Sequence, residues 1–378
     1  MSDGLEDAGS SAGCGKTLVE RLEETDRQLL ELLQRRAGLS LSPGEAENLP
    51  ESAGRVAELW NSVPGPLPEE HFRSIYREIL SSARSLRAPR RAAFSDTHEG
   101  LYGDFAHIAA RDLLGASAAY RPEENPTAVF RAVASGEADI GIVPAENSME
   151  GAAPRITELF LTHDLSIKAE LYCRLGYCLL SGEQALSSVH SLFAHPRSLA
   201  RCWTSLQKRL PGIRIVPVEN HTEAVNWAEG TERAGALTPH APPHDTAVLF
   251  PLPLLEQGFE NESGGRARFF VIGASGPARP GADKSTLLFT TGNKAEDLSR
   301  VLHCFAGLDA DIAVTASRAL PEDPAQRAYL VDIAADLAQP RCAGVADRAA
   351  ARCRTFKILG SYTAGNACFN PHPAPFAG

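Results

Sequence analysis

The stretch Asp139–Gly151, with the sequence DIGIVPAENSMEG, constrains the fold of this chain more than any other stretch. Its apolar run at 140–143 predicts a buried strand. Pro144 is expected to end this strand, because proline cannot donate to a ladder. The polar residues that follow are Glu146, Asn147 and Ser148. Open α/β sheets bind ligands at this end of a strand, although a strand followed by a capped helix explains the same residues.

Strand-like and helix-like segments alternate over residues 91–275, on both sides of this stretch. Alternation of this kind predicts parallel sheets flanked by helices. Two such lobes joined by a chain crossover would hold a ligand in the cleft between them. We therefore predict a two-lobed α/β core for residues 91–275.

Four further segments flank the core. Residues 1–15 are rich in Ser, Gly and acid, and the Pro-rich residues 366–378 end the chain, so both are predicted to be disordered tails. Residues 16–90 show helical periodicity and predict an all-α head with too little core to stand alone, so pairing with another copy is expected. Residues 283–365 follow the order βαββαβ, which predicts a ferredoxin-like α+β domain.

Composition excludes several classes of function. The net charge of -10 argues against nucleic acid as a partner. No apolar run approaches the ~20 residues that span a bilayer, and the first residues lack a signal-peptide pattern, so a cytoplasmic protein is expected. The 8 cysteines show no CxxC or Cys/His metal spacing, so we predict free thiols, no metal and no cofactor.

The head carries two motifs, LEETDRQLLELLQRR at 22–36 and PLPEEHFRSIYREILSSARSL at 66–86. Together they resemble the helical chorismate mutase domain. That family binds its dianionic substrate with several Arg and Lys, a Glu and a Gln. The matching positions here are Val19, Gly54–Arg55 and Arg87, and only the Arg35–Arg36 position agrees. The resemblance therefore implies a dimerising scaffold without mutase activity.

The core carries four motifs in order and at compatible spacing: VPAENSMEG (143–151), AHPRSLARC (194–202), VENHTEAV (218–225) and GRARFFVI (265–272). As a set they resemble the prephenate dehydratase family. The resemblance implies a two-lobed cleft of the periplasmic-binding-protein type that binds prephenate. Loss of carbon dioxide and water together would then give phenylpyruvate.

Three departures from the family pattern bear on chemistry. The Gly-Pro-Glu-Gly-Thr loop is Thr97–Leu101 here, and the Ser-Thr pair is Asn220–His221. The Thr-Arg-Phe triplet begins with Ala267. The resemblance implies that this Thr protonates the departing ring hydroxyl, and alanine cannot donate a proton.

The candidate residues follow from the motifs that are kept and altered. The predicted catalytic residues are Glu146, Asn147 and His221, and the predicted substrate-binding residues are Ser148, His195, Asn220, Arg268 and Phe269. Arg268 offers a planar fork that matches a carboxylate. His221 is a titratable group that can donate a proton or orient the substrate. The residues leave other roles open: a packed His221, a loop cap at His195, a surface salt bridge at Arg268, and a loop-holding Glu146.

Loss of hydroxide needs a general acid, typically worth ~10²–10⁴ in rate. Without one, decarboxylation still sends electrons into the ring diene, and the ring must take a proton at carbon. The product is then a non-aromatic dihydro-hydroxyphenylpyruvate. The altered core resembles the prephenate decarboxylases of secondary metabolism, relatives that carry out this reaction.

Residues 283–365 resemble an ACT domain, the module that senses phenylalanine in this family. The segments at 295–298 and 316–319 read AEDL and ASRA, where the family has Gly-Ala-Leu-Val and Glu-Ser-Arg-Pro. Both changes weaken the expected phenylalanine site and favour a structural, dimer-forming domain. With the head, this domain predicts a homodimer or homotetramer.

Three functions are compatible with these residues. We favour a non-aromatising prephenate decarboxylase that supplies a specialised amino-acid-like metabolite. The first alternative is a prephenate dehydratase of phenylalanine biosynthesis with a displaced acid such as His221. The second alternative is a non-catalytic regulator that binds prephenate or phenylalanine.

Overall fold

The computed structural model describes residues 17–41, 53–95, 103–147, 151–153, 155–239, 252–261, 265–276 and 282–365. The predicted tails at 1–15 and 366–378, Ser148 and residues 277–281 lie outside these residues, as does the loop Thr97–Leu101. The chain divides into two compact units, Met1–Pro89 and Arg90–Gly378. None of the described helices is long and apolar enough to cross a membrane.

The first unit is helical, as predicted. Its helices are α1 (Leu18–Ser40), α2 (Ala53–Ser62) and α3 (Glu69–Ser85). α1 begins at a capping box, in which the Glu20 N–H donates to Thr17 Oγ1 (3.2 Å) and the Thr17 N–H donates to Glu20 Oε2 (2.7 Å). Within α1, which is described in full, no residue is buried. Its apolar stripe therefore stays open to solvent in a single chain.

The second unit opens with the first part of lobe 1. Its elements are β1 (Arg91–Ser95), α4 (Gly103–Leu114), β2 (Ala119–Glu123), α5 (Pro126–Ala134), β3 (Ile140–Asn147), β4 (Gly151–Ala152), α6 (Ile156–Thr162) and β5 (Leu165–Arg174). Lobe 2 follows with β6 (Tyr177–Ser181), β7 (Ser191–Ala194), α7 (Pro196–Arg209), β8 (Arg214–Pro217), α8 (His221–Glu229), β9 (Ala234–Pro239) and β10 (Leu254–Gln257). The chain then returns to lobe 1 as β11 (Arg266–Ala274).

Each lobe is built on one sheet, as predicted, but the sheets are mixed and not parallel throughout as the alternation predicted. The lobe 1 sheet has the order β2-β1-β3-β11-β5, with β4 paired to β3, and the lobe 2 sheet has the order β10-β6-β9-β7-β8. β1, β2 and β3 are parallel, and so are β7, β8 and β9, whereas β11 is antiparallel to both of its neighbours. The chain crosses between lobes at Leu175–Gly176, where the Leu175 N–H donates to the Gly265 carbonyl oxygen (2.7 Å).

The prediction that Pro144 ends its strand is wrong, because β3 continues to Asn147. Pairing with β1 stops at Ile142, and pairing with β4 starts at Glu146. The register with β11 also shifts next to Pro144, since Phe269 pairs with Pro144 and Arg268 with Glu146. The proline therefore lies where the ladder is already interrupted, and its missing N–H costs no hydrogen bond there.

The C-terminal sheet domain has the predicted βαββαβ order. Its elements are β12 (Lys284–Gly292), α9 (Ala295–Leu302), β13 (Ile312–Ala319), β14 (Gln326–Ile333), α10 (Ala343–Ala350) and β15 (Thr355–Tyr362). The antiparallel strand order β13-β14-β12-β15 is the ferredoxin-like arrangement. β15 packs so closely on β5 that a Cβ added at Gly360 would collide with the Ile167 carbonyl. This domain is thus part of the same compact unit as the core.

Candidate functional site

The carboxyl edges of the two lobe sheets meet at the crossover. In lobe 1, β3 and β5 end at this edge, and β11 begins there. In lobe 2, β7, β8 and β9 end at the corresponding edge, beside the start of β6. The rings of Phe105 and Tyr177 make an edge-to-face contact across the lobes, with centroids 6.1 Å apart. The polar residues predicted from the sequence are distributed along these two edges.

One face of the lobe 1 sheet carries Ala267. In the strand register this residue lies opposite Asn147 on β3 and Cys173 on β5. Directly paired residues share a face, so the three side chains form a row at the carboxyl edge. Ala267 is fully buried, and Asn147 is 1% exposed. The three side chains of this row present an amide, a methyl group and a thiol. The Cys173 Sγ donates to the Phe105 carbonyl oxygen (3.9 Å).

The opposite face carries Arg268, because successive residues of a strand point to opposite sides. Its guanidinium is 2% exposed and lies against the C-terminal sheet domain. Nη2 is 2.5 Å from Glu170 Oε2 and 2.7 Å from Asp332 Oδ2, and Nε donates to Glu170 Oε2 (2.8 Å). Nη1 is 3.6 Å from Glu146 Oε1. Burial opposes the charged form of Arg268, but Asp332, Tyr362 and Glu170 together raise its pKa above the ordinary value.

This placement separates residues that the sequence analysis grouped together. Asn147 and Ala267 lie on one face of the sheet, while Glu146 and Arg268 lie on the other. Arg268 has two buried carboxylate partners, so the structure does not leave its fork open for a substrate, and a substrate-binding role remains a prediction. Its salt bridge is buried, in contrast to the surface pair considered from the sequence. Phe269 is fully buried in the apolar core against Phe105 and Val271.

His195 and Asn220 cap the two helices that begin at the lobe 2 edge. His195 is the N-cap of α7, and its Nδ1 accepts the Arg197 N–H (3.3 Å). Asn220 is the N-cap of α8, and its Oδ1 accepts the Glu223 N–H (2.8 Å). The cap considered for His195 is therefore observed. A neutral His195 that accepts at Nδ1 carries its proton on Nε2 and can donate from there.

His221 is the first residue of α8 and lies near His195, with ring centroids 6.0 Å apart. Its Nε2 is hydrogen-bonded to Ser198 Oγ on α7 (2.7 Å). Burial lowers the pKa of His221 to about 4. The ring is therefore neutral at pH 7, which removes the imidazolium form that would act as a strong proton donor. An orienting role fits this environment better than the role of general acid.

The start of α7 is the part of the lobe 2 edge that suits an anion. Helix N-termini carry a partial positive charge, and the first turn of α7 has no acidic residue, whereas the first turn of α8 carries Glu223. Arg197 in the first turn of α7 adds an exposed guanidinium beside His195. This edge therefore suits a ligand with carboxylate groups.

Four residues of this region were not predicted from the sequence: Ser198, Glu170, Lys284 and Asp332. Glu170 and Asp332 had a readable signal, because each is a single carboxylate inside an apolar strand run, and a buried charge requires a partner. Ser198 gave no such signal, since one serine in an amphipathic helix is ordinary. Among the described residues, no group of three or more His, Cys, Asp or Glu side chains is placed to hold a metal ion.

The segment that forms the two lobes matches one protein-family model. Residues 97–277 match the family model described as prephenate dehydratase. This segment is a prephenate dehydratase-family domain. Ala267 and His221 both lie within this domain, at the edges of the lobe 1 and lobe 2 sheets.

Relatives extend the likeness beyond the dehydratase-family domain. A bifunctional chorismate mutase/prephenate dehydratase of Aquifex aeolicus is 28% identical over 359 residues, covering 92% of this chain and 97% of the relative. The prephenate dehydratase of Arthrobacter aurescens, solved in complex with L-Phe, has 22% identity and a TM-score of 0.60, covering 72% of this chain and 89% of its own. The prephenate dehydratase of Staphylococcus aureus has 18% identity and a TM-score of 0.61, covering 72% and 100%. The two solved structures are similar in fold to the core and C-terminal domain.

Proposed function

We propose that this protein decarboxylates prephenate without removing the ring hydroxyl. The carboxylate on the quaternary ring carbon leaves as carbon dioxide, and its bonding electron pair enters the ring diene. One proton then adds at a ring carbon, so the product is a dihydro-hydroxyphenylpyruvate. The family membership supports prephenate as the substrate, and the N-terminus of α7 suits a carboxylate because its first turn has no acidic residue.

The observation that carries this proposal is the methyl group of Ala267. It lies at the carboxyl edge opposite Asn147, where the family pattern has a hydroxyl that protonates the leaving group. The titratable group at the lobe 2 edge, His221, is neutral at pH 7 because burial lowers its pKa to about 4. Loss of hydroxide therefore lacks its acid, while loss of carbon dioxide needs none.

Purified protein incubated with prephenate tests the proposal. We expect a product that is one water heavier than phenylpyruvate and lacks aromatic absorbance. Mass spectrometry measures the first property and ultraviolet spectroscopy the second. Ala267→Thr should divert part of the product to phenylpyruvate. Ala274→Thr, at the exposed far end of the same strand, is the matched control and should leave the product unchanged. Phenylpyruvate as the main product of the unaltered protein would refute the proposal.

A prephenate dehydratase is the second candidate, and one observation favours it. Ser198 Oγ is hydrogen-bonded to His221, and the buried Tyr177 hydroxyl lies near Ser198. A hydroxyl from lobe 2 would then replace the missing threonine. In that case the unaltered protein makes phenylpyruvate, and Ser198→Ala or Tyr177→Phe lowers the yield of phenylpyruvate. His221→Gln tests whether His221 orients the Ser198 hydroxyl.

For the C-terminal domain we propose a structural role rather than phenylalanine sensing. The Asp297 carboxylate lies against Gly292 in the turn between β12 and α9, and Glu296 begins the same helix. Carboxylates there stabilise the helix N-terminus and repel a ligand carboxylate. Titration calorimetry with phenylalanine should show no heat of binding. Binding of prephenate or phenylalanine without turnover would instead favour the regulator.

We also propose that the protein is a homodimer or homotetramer. Support comes from α1, where Leu18, Leu22 and Leu29 are 71%, 55% and 51% exposed in the single chain. A second copy can cover this stripe. A cytoplasmic location, expected from the sequence, likewise remains a prediction.

A further inference from the structure

Three buried charged side chains and one partly buried lysine lie between lobe 1 and the C-terminal sheet. This charge cluster consists of Glu170 (β5), Arg268 (β11), Lys284 (β12) and Asp332 (β14). Lys284 Nζ is 2.9 Å from Glu170 Oε2 and 3.1 Å from Asp332 Oδ2, so each cation contacts both anions. The side chains of Glu170, Arg268 and Asp332 are 1%, 2% and 7% exposed. Strands β5 and β11 of lobe 1 thus meet strands β12 and β14 of the C-terminal domain at a cluster of two cations and two anions.

The hydrogen bonds of the cluster also join the two domains. The Gly365 N–H, just after β15, donates to Glu170 Oε1 (2.8 Å). Thr286 Oγ1 on β12 donates to Asp332 Oδ1 (2.7 Å), and Arg268 Nη2 donates to the Tyr362 hydroxyl (3.3 Å). Buried charges are tolerated when they are paired and hydrogen-bonded in this way. The guanidinium of Arg268 is therefore held by groups of both domains, namely Glu170 of lobe 1 and Asp332 and Tyr362 of the C-terminal domain.

Arg268 in turn contacts the carboxyl edge of lobe 1. Its Nη1 lies 3.6 Å from Glu146 Oε1, a separation for an ion pair rather than a hydrogen bond. Its backbone pairs with Glu146, and the preceding Ala267 pairs with Asn147. Two adjacent residues of β11 thus connect the C-terminal domain on one face with the cleft row on the other.

We propose that Arg268 is a positioning residue through which the C-terminal sheet holds Glu146 and Asn147 in place and thereby sets the rate of the core reaction. Asp332 is the residue of the C-terminal domain whose carboxylate contacts Arg268. The inference rests on the proposed function for its rate readout, whereas the contact itself does not depend on which product forms.

Asp332→Asn tests the proposal with the full-length protein, because it keeps the shape of the side chain and removes its charge. We expect kcat for prephenate consumption to fall roughly 10- to 100-fold, because the reaction rate falls steeply when catalytic groups are displaced. The change in KM should be smaller. Asp323→Asn is the matched control in the same domain. Asp323 forms an exposed pair with Arg354 at 3.5 Å, and its substitution should leave kcat unchanged.

The double variant Lys284→Met/Asp332→Asn separates positioning from charge balance. It removes one cation and one anion and keeps the Arg268–Glu170 pair. If the cluster only balances charge, turnover returns to that of the unaltered protein, which overturns the proposal. If Asp332 positions Arg268, turnover stays low although thermal stability recovers.

Amide hydrogen exchange gives a readout that does not need activity. Asp332→Asn should speed exchange in segments 140–147 and 266–274 relative to Asp323→Asn. If the unaltered protein does not consume prephenate, the proposed function fails, and exchange alone decides the positioning role. Equal exchange in the two variants overturns it, and so does an unchanged kcat for Asp332→Asn.

Discussion

The two edges of the cleft are held in different ways. At the lobe 1 edge, Arg268 is fixed by paired charges that reach into another domain. At the lobe 2 edge, His195 and Asn220 are fixed by helix capping, and His221 by a bond to Ser198. Lobe 1 therefore depends on long-range contacts, whereas lobe 2 depends on contacts within a few residues or between neighbouring helices.

The two edges also differ in where their charged groups lie. The buried ions of lobe 1 lie behind the cleft, on the face that carries Arg268 and not on the face that carries Ala267. The lobe 2 edge carries a histidine that burial keeps neutral, the positive end of α7 and the exposed Arg197. We infer that the buried ions of lobe 1 mainly fix the shape of the cleft, while the start of α7 and Arg197 meet the ligand.

The largest expected effect comes from Arg268→Met. The substitution leaves Glu170 and Asp332 buried with Lys284 as their remaining cation, so we expect a loss of about 3–5 kcal/mol in the free energy of unfolding. Urea unfolding followed by fluorescence measures it. Arg354→Met removes an exposed pair and should cost less than about 1 kcal/mol. Equal losses for the two variants would show that the buried and exposed pairs do not differ.

Gly360→Ala tests the contact between the C-terminal sheet and lobe 1 without changing charge. The new Cβ would meet the Ile167 backbone carbonyl, which cannot rotate away as a side chain can. We expect a loss of about 1–3 kcal/mol and a lower melting temperature by calorimetry. Gly307→Ala is the control, because a Cβ there meets nothing within 4 Å. A melting temperature like that of the control would mean that β15 shifts freely on β5.

The neutral histidine of lobe 2 predicts a pH dependence. Because the pKa of His221 falls from 6.5 to about 4 on folding, the unfolded chain takes up this proton first as the pH drops. The folded state therefore has its full stability above about pH 7 and loses about 1–3 kcal/mol from this group as the pH falls from 6.5 to 4. Urea unfolding at pH 7.5 and 4.5 measures the loss.

His221→Gln should shrink the difference between the two pH values. His190→Gln, at an exposed position of the same lobe, should leave it unchanged. A difference that His221→Gln does not alter would place the acid sensitivity elsewhere, for example in the carboxylates of lobe 1.

The smallest effect on folding is expected in the helical head. Leu29→Glu changes an exposed side chain of α1, so the free energy of unfolding should change by less than about 0.5 kcal/mol. The same change places a charge on the stripe that we expect another copy to cover, so sedimentation should show a smaller assembly. Gln28→Glu, one residue away, should keep the mass of the unaltered protein.

Much of the fold follows from local patterns. The helices of the head, the alternation in 91–275 and the βαββαβ order are strong periodic signals, and all are present. The strands β2 and β10 were not predicted. β2 (AYRPE) contains no fully buried residue and has a proline, and β10 (LLEQ) is a half-buried edge strand of four residues. Pairing with neighbours distant in sequence creates these strands, and no local pattern reports it.

The site was less predictable, because side-chain direction depends on register. A motif shows that Ala267 and Arg268 are adjacent, and strand alternation places them on opposite faces. Which face meets the cleft depends on the packing of the C-terminal sheet against β5, a contact between residues more than 150 positions apart, such as Gly360 and Ile167. The pairing of His221 with Ser198 likewise requires the relative position of α7 and α8.

The hydrogen bond between Leu175 and Gly265 has a mechanical consequence. It ties the outgoing and returning connections of lobe 2 side by side, so any movement of one lobe against the other is expected to be a turn about this point. Cys173, Tyr177 and Ala267 lie within four residues of the bond along the chain, and displacement in a turn grows with distance from its axis. We therefore expect the surroundings of the Ala267 methyl group to change least when the lobes move.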